Sequence, residues 1–304
     1  MQYVTLKGTD LKVSQLCLGT WQFNDSQENM TWPTQTAEES KAIVDKCLEL
    51  GINFFDTAEG YAGSESVLGR ALLGRRQDAV IATKFGFREG PSTPAYSPQE
   101  IDEAVTRSLQ KLQTTYIDIL QVHFPSFLRD VTEAITELER LRAVGKIRYY
   151  GLSNFGPKNI KTFLDAGGKP VVNQQGLLTG KFKKLSDVPE GRRRGKLFSK
   201  DSTPLARHGQ EGAEEEVDEA LKGISQICEE AGVEMSKAAL AWILQQDGVD
   251  VVISGASSPQ QVVDNSTIIT LQSDVVRKLS EVTEPLKKKI GTTLDQWSAV
   301  DRCE

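Results

Sequence analysis

Short apolar runs alternate with amphipathic stretches along most of this chain. Tyr3-Val4-Thr5-Leu6 and Leu11-Lys12-Val13 flank the turn-forming Lys7-Gly8-Thr9-Asp10, a pattern that predicts a small hairpin. The first core strand is read at Gln15–Thr20. Further strands end at Asp56 (Asn53-Phe54-Phe55-Asp56), Lys84 (Ala79-Val80-Ile81-Ala82-Thr83-Lys84) and His123 (Ile119-Leu120-Gln121-Val122-His123). Ile147–Asn154, Pro170–Gln174 and Asp250–Ser254 read as three more. Helical spacing separates these runs. A helix from about Thr36 places Ala42, Ile43, Cys47 and Leu50 on one face and stops at Gly51. Others are predicted over Ser64–Leu73, Ser97–Gln113 and Val131–Val144, and the second of these opens on the capping box Ser97-Pro98-Gln99-Glu100. Repeated strand–helix units predict an α/β fold with a parallel sheet and helices outside it. With no Gly/Ser-rich linker or low-complexity tract, residues 1–304 read as a single domain.

Composition narrows the class. A hydrophobic content of 38% with 26% charged residues describes a soluble globular chain. Its net charge of −6 disfavours nucleic acid as the main partner, since phosphate binding needs a basic face. Arg192-Arg193-Arg194 is the densest basic run, countered by Glu214-Glu215-Glu216 and read as a solvated loop. Cys17, Cys47, Cys228 and Cys303 show no C-x-x-C spacing and only two histidines are present, so no metal site or disulfide framework is expected. No apolar stretch is long enough to span a membrane. Reduced thiols and the lack of a signal peptide give a cytoplasmic expectation.

The strand ends carry the candidate chemistry. Asp56, Lys84 and His123 close successive apolar runs, and Tyr61 follows Asp56 closely. A parallel α/β barrel places its active site at the carboxyl ends of its strands. A carboxylate, a phenol, an amine and an imidazole gathered there make a proton-donating site. Trp21, Trp32 and Phe124 follow strands as well, either walling an apolar pocket or serving as simple core.

Several stretches resemble the aldo-keto reductases. Gly51-Ile52-Asn53-Phe54-Phe55-Asp56-Thr57-Ala58-Glu59-Gly60-Tyr61 is similar to one family signature, and Ser108–Asp118 running on to His123 is similar to a second. Gly151-Leu152-Ser153-Asn154-Phe155 resembles the strand end that clamps nicotinamide, and Gly255-Ala256-Ser257 with Gln261 and Asn265 resembles the loop that holds the adenosine 2′-phosphate. The branch most resembled includes potassium-channel β-subunits and aflatoxin-aldehyde reductases.

The resemblance implies a (β/α)8 TIM-barrel-type fold and reduction of an aldehyde or ketone with NADP(H). Tyr61 would then give the proton. Lys84 would favour the phenolate by placing a positive charge beside it, Asp56 would hold Lys84, and His123 would hydrogen-bond the carbonyl oxygen. Gly19, Thr20, Trp21, Asp56, Ser153, Asn154, Gln174, Lys181, Gly255, Ser257, Gln261 and Asn265 would line the cofactor. Of these, Ser257 and Gln261 stand after a strand and at a helix start, where backbone amides favour phosphate. The expected partner is a small carbonyl compound, with a protein partner or a second copy also open.

One departure is large. The family places a helix and a seventh strand after its Asn-Gln pair, whereas here Asn173-Gln174-Gln175 runs straight into Gly176-Leu177-Leu178-Thr179-Gly180-Lys181. The lack of one such unit, on the order of 30 residues, predicts a barrel without its sixth helix and seventh strand, strained or open. Two alternatives to the reductase follow: a non-catalytic NADP(H)-sensing or interaction protein, and an inactive shortened isoform.

Overall fold

The computed structural model describes residues 1–24, 35–61, 63–87, 94–172, 188, 190, 193–291, 295–297 and 303. Its contacts cluster into two compact units. The first comprises Met1–Gln175, Asp250–Ser266 and Cys303; the second comprises Gly176–Val249, Thr267–Arg302 and Glu304.

The first unit opens with an antiparallel hairpin of β1 (Tyr3–Thr5) and β2 (Lys12–Ser14). Seven parallel strands follow: β3 (Leu16–Gly19), β4 (Phe54–Asp56), β5 (Val80–Phe85), β6 (Ile117–Val122), β7 (Ile147–Leu152), β8 (Val171–Val172) and β9 (Val252–Gly255). Their order is β8-β7-β6-β5-β4-β3-β9. Chain order is thus kept from β3 to β8, and the returning β9 pairs with β3 on its other side. Among the described residues no ladder joins β8 to β9, so the sheet is open there.

The hairpin plugs the amino ends of the strands. Leu6, Leu11 and Val13 form one buried cluster with Cys17, Phe54, Ala82 and Ile119. That leaves the carboxyl ends for polar groups, the division of labour expected of a barrel.

The helices between strands form where local signals place them. α1 (Ala37–Glu49) starts on a capping box between Thr36 and Glu39, and α3 (Pro98–Leu112) on the one between Ser97 and Glu100. α2 (Ser64–Ala71), α4 (Val131–Ala143), α5 (Pro157–Asp165) and α8 (Pro259–Ser266) complete the set. The buried face of α1 is Ser40, Ile43, Val44 and Cys47, while Ala42 is exposed and Leu50 half-buried. The expected stripe is therefore rotated towards Val44. The strand read at Pro170–Gln174 is seen at Val171–Val172, and the residues beyond lie outside the described set.

The second unit holds α6 (Glu214–Glu230), α7 (Met235–Leu244), α9 (Ser273–Val282) and α10 (Glu284–Ile290). Ile224, Cys228, Ala238, Ala241, Leu271, Val275 and Leu279 make its apolar core. Glu214-Glu215-Glu216 form the first turn of α6 rather than a solvated loop, because free amides at a helix start favour carboxylates. Arg193 and Arg194 are half-buried, and Arg192 lies outside the described residues.

All four cysteines are buried. Among the described residues no helix is long and apolar enough to cross a membrane, and no group of three or more His, Cys, Asp or Glu is placed to hold a metal.

Candidate active site

Each candidate catalytic residue sits at a carboxyl end of the sheet. Asp56 is the last residue of β4, Lys84 the penultimate residue of β5, and His123 the residue after β6. Backbone bonds extend the ladders past the strand ends and fix these positions. Thr57 N donates to Ala82 O at 2.9 Å, Glu59 N to Lys84 O at 2.9 Å, and His123 N to Phe85 O at 3.2 Å. Tyr61 N closes a turn on Ala58 O at 3.1 Å, which brings the phenol back over the sheet.

Lys84 is the hub. Its Nζ donates to Asp56 Oδ1 at 2.6 Å, to the Thr57 carbonyl at 3.0 Å and to the Tyr61 hydroxyl at 3.4 Å. Its side chain is 1% exposed and that of Asp56 2%. A buried ammonium persists only when it is paired and its donors are used, and here three acceptors surround it. Burial alone would lower the Lys84 pKa. The Asp56 charge, and after it Tyr61, outweigh that, and the amine ends above the ordinary lysine range. Lys84 is therefore a fixed positive charge at neutral pH.

A triad of buried hydroxyls ties this pair to the neighbouring strand. Thr20 Oγ1 donates to the Asp56 carbonyl at 2.9 Å and lies 2.7 Å from Ser64 Oγ. Ser64 Oγ donates to the Thr20 carbonyl at 2.7 Å and lies 2.9 Å from Thr57 Oγ1. Thr57, whose carbonyl receives Lys84, is thus pinned at its side chain by the first residue of α2.

Aromatic rings surround the phenol and the imidazole. Trp21 stacks on Tyr61 with centroids 5.6 Å apart, and the His123 ring meets Tyr61 edge-on at 5.7 Å. Phe124 stacks on His123 at 5.6 Å, and Phe87 meets His123 edge-on at 4.9 Å and Phe127 at 4.6 Å. Gly86 makes this possible. Its φ of +136° suits glycine, and an added Cβ would lie 2.6 Å from the Phe127 ring and 3.1 Å from His123 Cβ. Trp32 lies outside the described residues.

The residues expected to line a cofactor fall at two places on the sheet. After β7, Ser153 N donates to Val122 O at 2.9 Å. Asn154, at φ +57°, donates from Nδ2 to His123 O at 3.0 Å and to Ser153 Oγ at 3.1 Å. After β3 and β9, Gly19 and Gly255 are register partners, and Thr20 and Trp21 follow Gly19. At the opening of α8, Ser257 donates to Gln261 Oε1 from its N–H at 2.8 Å and from its hydroxyl at 3.1 Å. Asn265 Nδ2 donates to Ser254 Oγ at 3.0 Å. Gln174 and Lys181 lie outside the described residues.

Several residues that the sequence reading passed over belong to this region: Thr57, Ser64, Phe87, Phe127 and Gln121. Gln121 Nε2 donates to Asp56 Oδ2 at 3.3 Å. Its signal was present, because it is the lone amide in the run from Ile119 to Val122 and shares a strand face with His123.

Parallel strands opening onto a lysine–carboxylate pair, a phenol and an imidazole define a barrel protein equipped to donate a proton. Its membership is specific. The profile of the Aldo/keto reductase family matches residues 15–179 and 173–284, and the chain belongs to that family. It is 28% identical over 340 aligned positions to a probable voltage-gated potassium channel subunit beta of Oryza sativa subsp. japonica, covering 95% of this chain and 98% of that one. It is 28% identical over 342 positions to the NADH-specific methylglyoxal reductase of Escherichia coli, covering 93% and 100%. Among solved structures, the holo form of aldo-keto reductase AKR11C1 from Bacillus halodurans superposes with a TM-score of 0.69 at 30% identity, covering 93% and 96%. The fold is of the (β/α)8 TIM-barrel type.

Proposed function

We propose that this chain reduces an aldehyde or ketone to an alcohol with a nicotinamide dinucleotide. The observation that carries this reading is the Lys84 ammonium held between Asp56 and the Tyr61 hydroxyl. A bound nicotinamide supplies the hydride. Tyr61 gives its proton to the carbonyl oxygen, and the fixed charge of Lys84 stabilises the phenolate left behind. Asp56 offsets that charge and fixes the amine in place. His123 orients the substrate oxygen, with Trp21, Phe87 and Phe124 presenting an apolar wall.

The chain fits a dinucleotide on its own features. Glycines face each other where β3 and β9 end, and Ser257, whose N–H and hydroxyl both donate to Gln261 Oε1, stands just before the start of α8. Ser153, Asn154 and Gln174 would hold the carboxamide. Gly19, Thr20, Lys181, Gly255, Ser257, Gln261 and Asn265 would hold the rest. The proposed cofactor is NADP(H). NAD(H) is the second candidate, favoured by the lack of any Lys or Arg from Gly255 to Ser266.

We also propose that one helix–strand unit is missing after Gln175. Three observations support it: the sheet is open between β8 and β9 among the described residues, the two family segments meet at residues 173–179, and both quoted relatives align over more positions than this chain's 304 residues. A non-catalytic, cofactor-sensing protein is the rival reading, favoured by the likeness to a channel subunit.

The test is a panel of carbonyl compounds with NADPH and with NADH, comparing the parent with Tyr61→Phe. Turnover that falls at least a hundredfold in the variant supports the reductase, as expected for loss of a general acid worth about 10²–10⁴. Turnover unchanged in Tyr61→Phe sinks it. Dinucleotide binding without turnover of any carbonyl favours the sensing protein.

A further inference from the structure

Asp56 holds more than the lysine. While Oδ1 takes the Lys84 ammonium at 2.6 Å, Oδ2 takes the Gln121 amide at 3.3 Å. Gln121 is fully buried, and its register partners are Lys84 on β5 and Gly151 on β7. Gly151 leaves the room for it, since an added Cβ would lie 3.2 Å from Gln121 Cγ and 2.5 Å from Val171 O.

The glutamine is a poor choice for packing alone. Its Oε1 has no hydrogen-bond partner among the described residues, and a buried acceptor left unmatched costs stability. Leucine would fill similar space without that cost. A residue that breaks a packing rule beside reactive groups is expected to serve them.

We propose that Gln121 is a positioning residue for the Lys84–Tyr61 pair, acting through Asp56. The amide bond to Oδ2 keeps the carboxylate in the plane that meets Lys84 and draws part of its negative charge away from the amine. Without it the carboxylate turns more freely and concentrates its charge on Lys84. The ammonium then stabilises the Tyr61 phenolate less, and Tyr61 ionises at a higher pH.

The test uses Gln121→Leu and the near-isosteric Gln121→Glu. Phenolate absorbance is titrated in each, with the matching Tyr61→Phe background subtracted to isolate Tyr61. Gln121→Leu is expected to raise the Tyr61 midpoint by about half a unit to one unit. Gln121→Glu carries a carboxylate at the alkaline pH where a phenol titrates, and because two carboxylates sharing one site repel, its midpoint should rise as well.

A second arm rests on the reductase reading. The kcat of Gln121→Leu falls roughly three- to tenfold while dinucleotide Kd stays within about twofold of the parent. A parent that turns over no carbonyl defeats the reductase reading and leaves the titration arm intact. A Tyr61 midpoint unmoved in folded Gln121→Leu overturns the proposal. Should that variant not fold, a Gln121→Glu midpoint equal to the parent's overturns it equally.

Discussion

Replacing Lys84 with methionine separates the electrostatic account of this site from a purely steric one. Methionine spans similar length without charge, so the loss is the ammonium and its bonds to Asp56 Oδ1, Thr57 O and Tyr61 OH. Asp56 is 2% exposed and is left as a buried carboxylate with Gln121 as its remaining side-chain donor among the described residues. Breaking a buried pair from one side costs about 3–5 kcal/mol. In a unit of this size that is a fall in Tm of roughly 10 °C. Asp56→Asn in the same background removes the stranded charge, so Asp56→Asn/Lys84→Met should be more stable than Lys84→Met alone. We expect a coupling of at least about 2 kcal/mol in the double-mutant cycle. The pH dependence has a definite sign. A buried carboxylate without its counter-ion is costly only in its charged form, so the penalty in Lys84→Met should shrink in acid and grow as pH rises. A two-unit chain need not unfold in one step, so urea unfolding is paired with hydrogen exchange at the β4 and β5 amides. Single-variant losses that add within about 0.5 kcal/mol, or a penalty indifferent to pH, would refute the reasoning.

Glu65 offers a second titration. It is 1% exposed, and burial pushes its pKa up, with hydrogen bonds from Thr83 and Ser108 and the charge of Lys111 offsetting only part. A folded pKa above the unfolded value of about 4.3 costs stability as pH rises through it, so Glu65→Gln should stabilise at pH 7 and lose that advantage below about pH 4; urea unfolding at the two pH values checks this. Gly86→Ala puts a Cβ into the Phe127 ring and strains a backbone at φ +136°, and we expect a loss of about 1–3 kcal/mol with a changed near-ultraviolet circular dichroism of the aromatic cluster. Cys47 is buried and its thiol is pushed up to about 12, so it should resist alkylation in the folded chain at pH 8 and react once urea unfolds it; mass spectrometry of labelled peptides reads the difference.

How much of this was legible beforehand depends on range. Strand ends and caps are local signals, so Asp56, Lys84 and His123 could be placed at successive carboxyl ends from apolar runs alone. Ser97 and Glu100 likewise announced the start of α3. The hydroxyl triad was not legible, since Thr20 and Ser64 stand 44 positions apart and meet only when β3 pairs with β4. Phe87 was hidden for a different reason. It takes a left-handed backbone at φ 64° after Gly86, a conformation that no periodicity signals. The rotation of α1 towards Val44 shows the weakness of face assignment, because adjacent residues on a helix differ by about 100° and either could be read as the stripe.

The opening in the sheet bears unequally on the two halves of the proposed reaction. The residues proposed to donate the proton, with their supports, stand on or shortly after β3 to β6 and at the start of α2, joined by ladders that are complete among themselves. Among the described residues the opening lies between β8 and β9, three strands from β5 on one side and three on the other. Lys84, Asp56 and Tyr61 are therefore expected to keep the contacts described above whatever completes the barrel. Part of what is proposed to hold the dinucleotide lies by the opening: Gly255 and Ser257 belong to β9 and the loop beyond it, and Gln174 comes two positions after β8 in the sequence. An edge strand is held by one ladder where an inner strand has two, and its backbone groups are correspondingly freer to move. Dinucleotide affinity should suffer before proton donation does. Inserting a helix–strand unit after Gln175 is then expected to tighten dinucleotide Kd about tenfold or more, equal to at least 1.4 kcal/mol, while the Tyr61 titration midpoint stays where it is. Calorimetric binding and phenolate absorbance on the same two proteins decide the matter. A midpoint that moves with the insertion would mean that Lys84, Asp56 and Tyr61 lean on the barrel's closure and not on their own ladders.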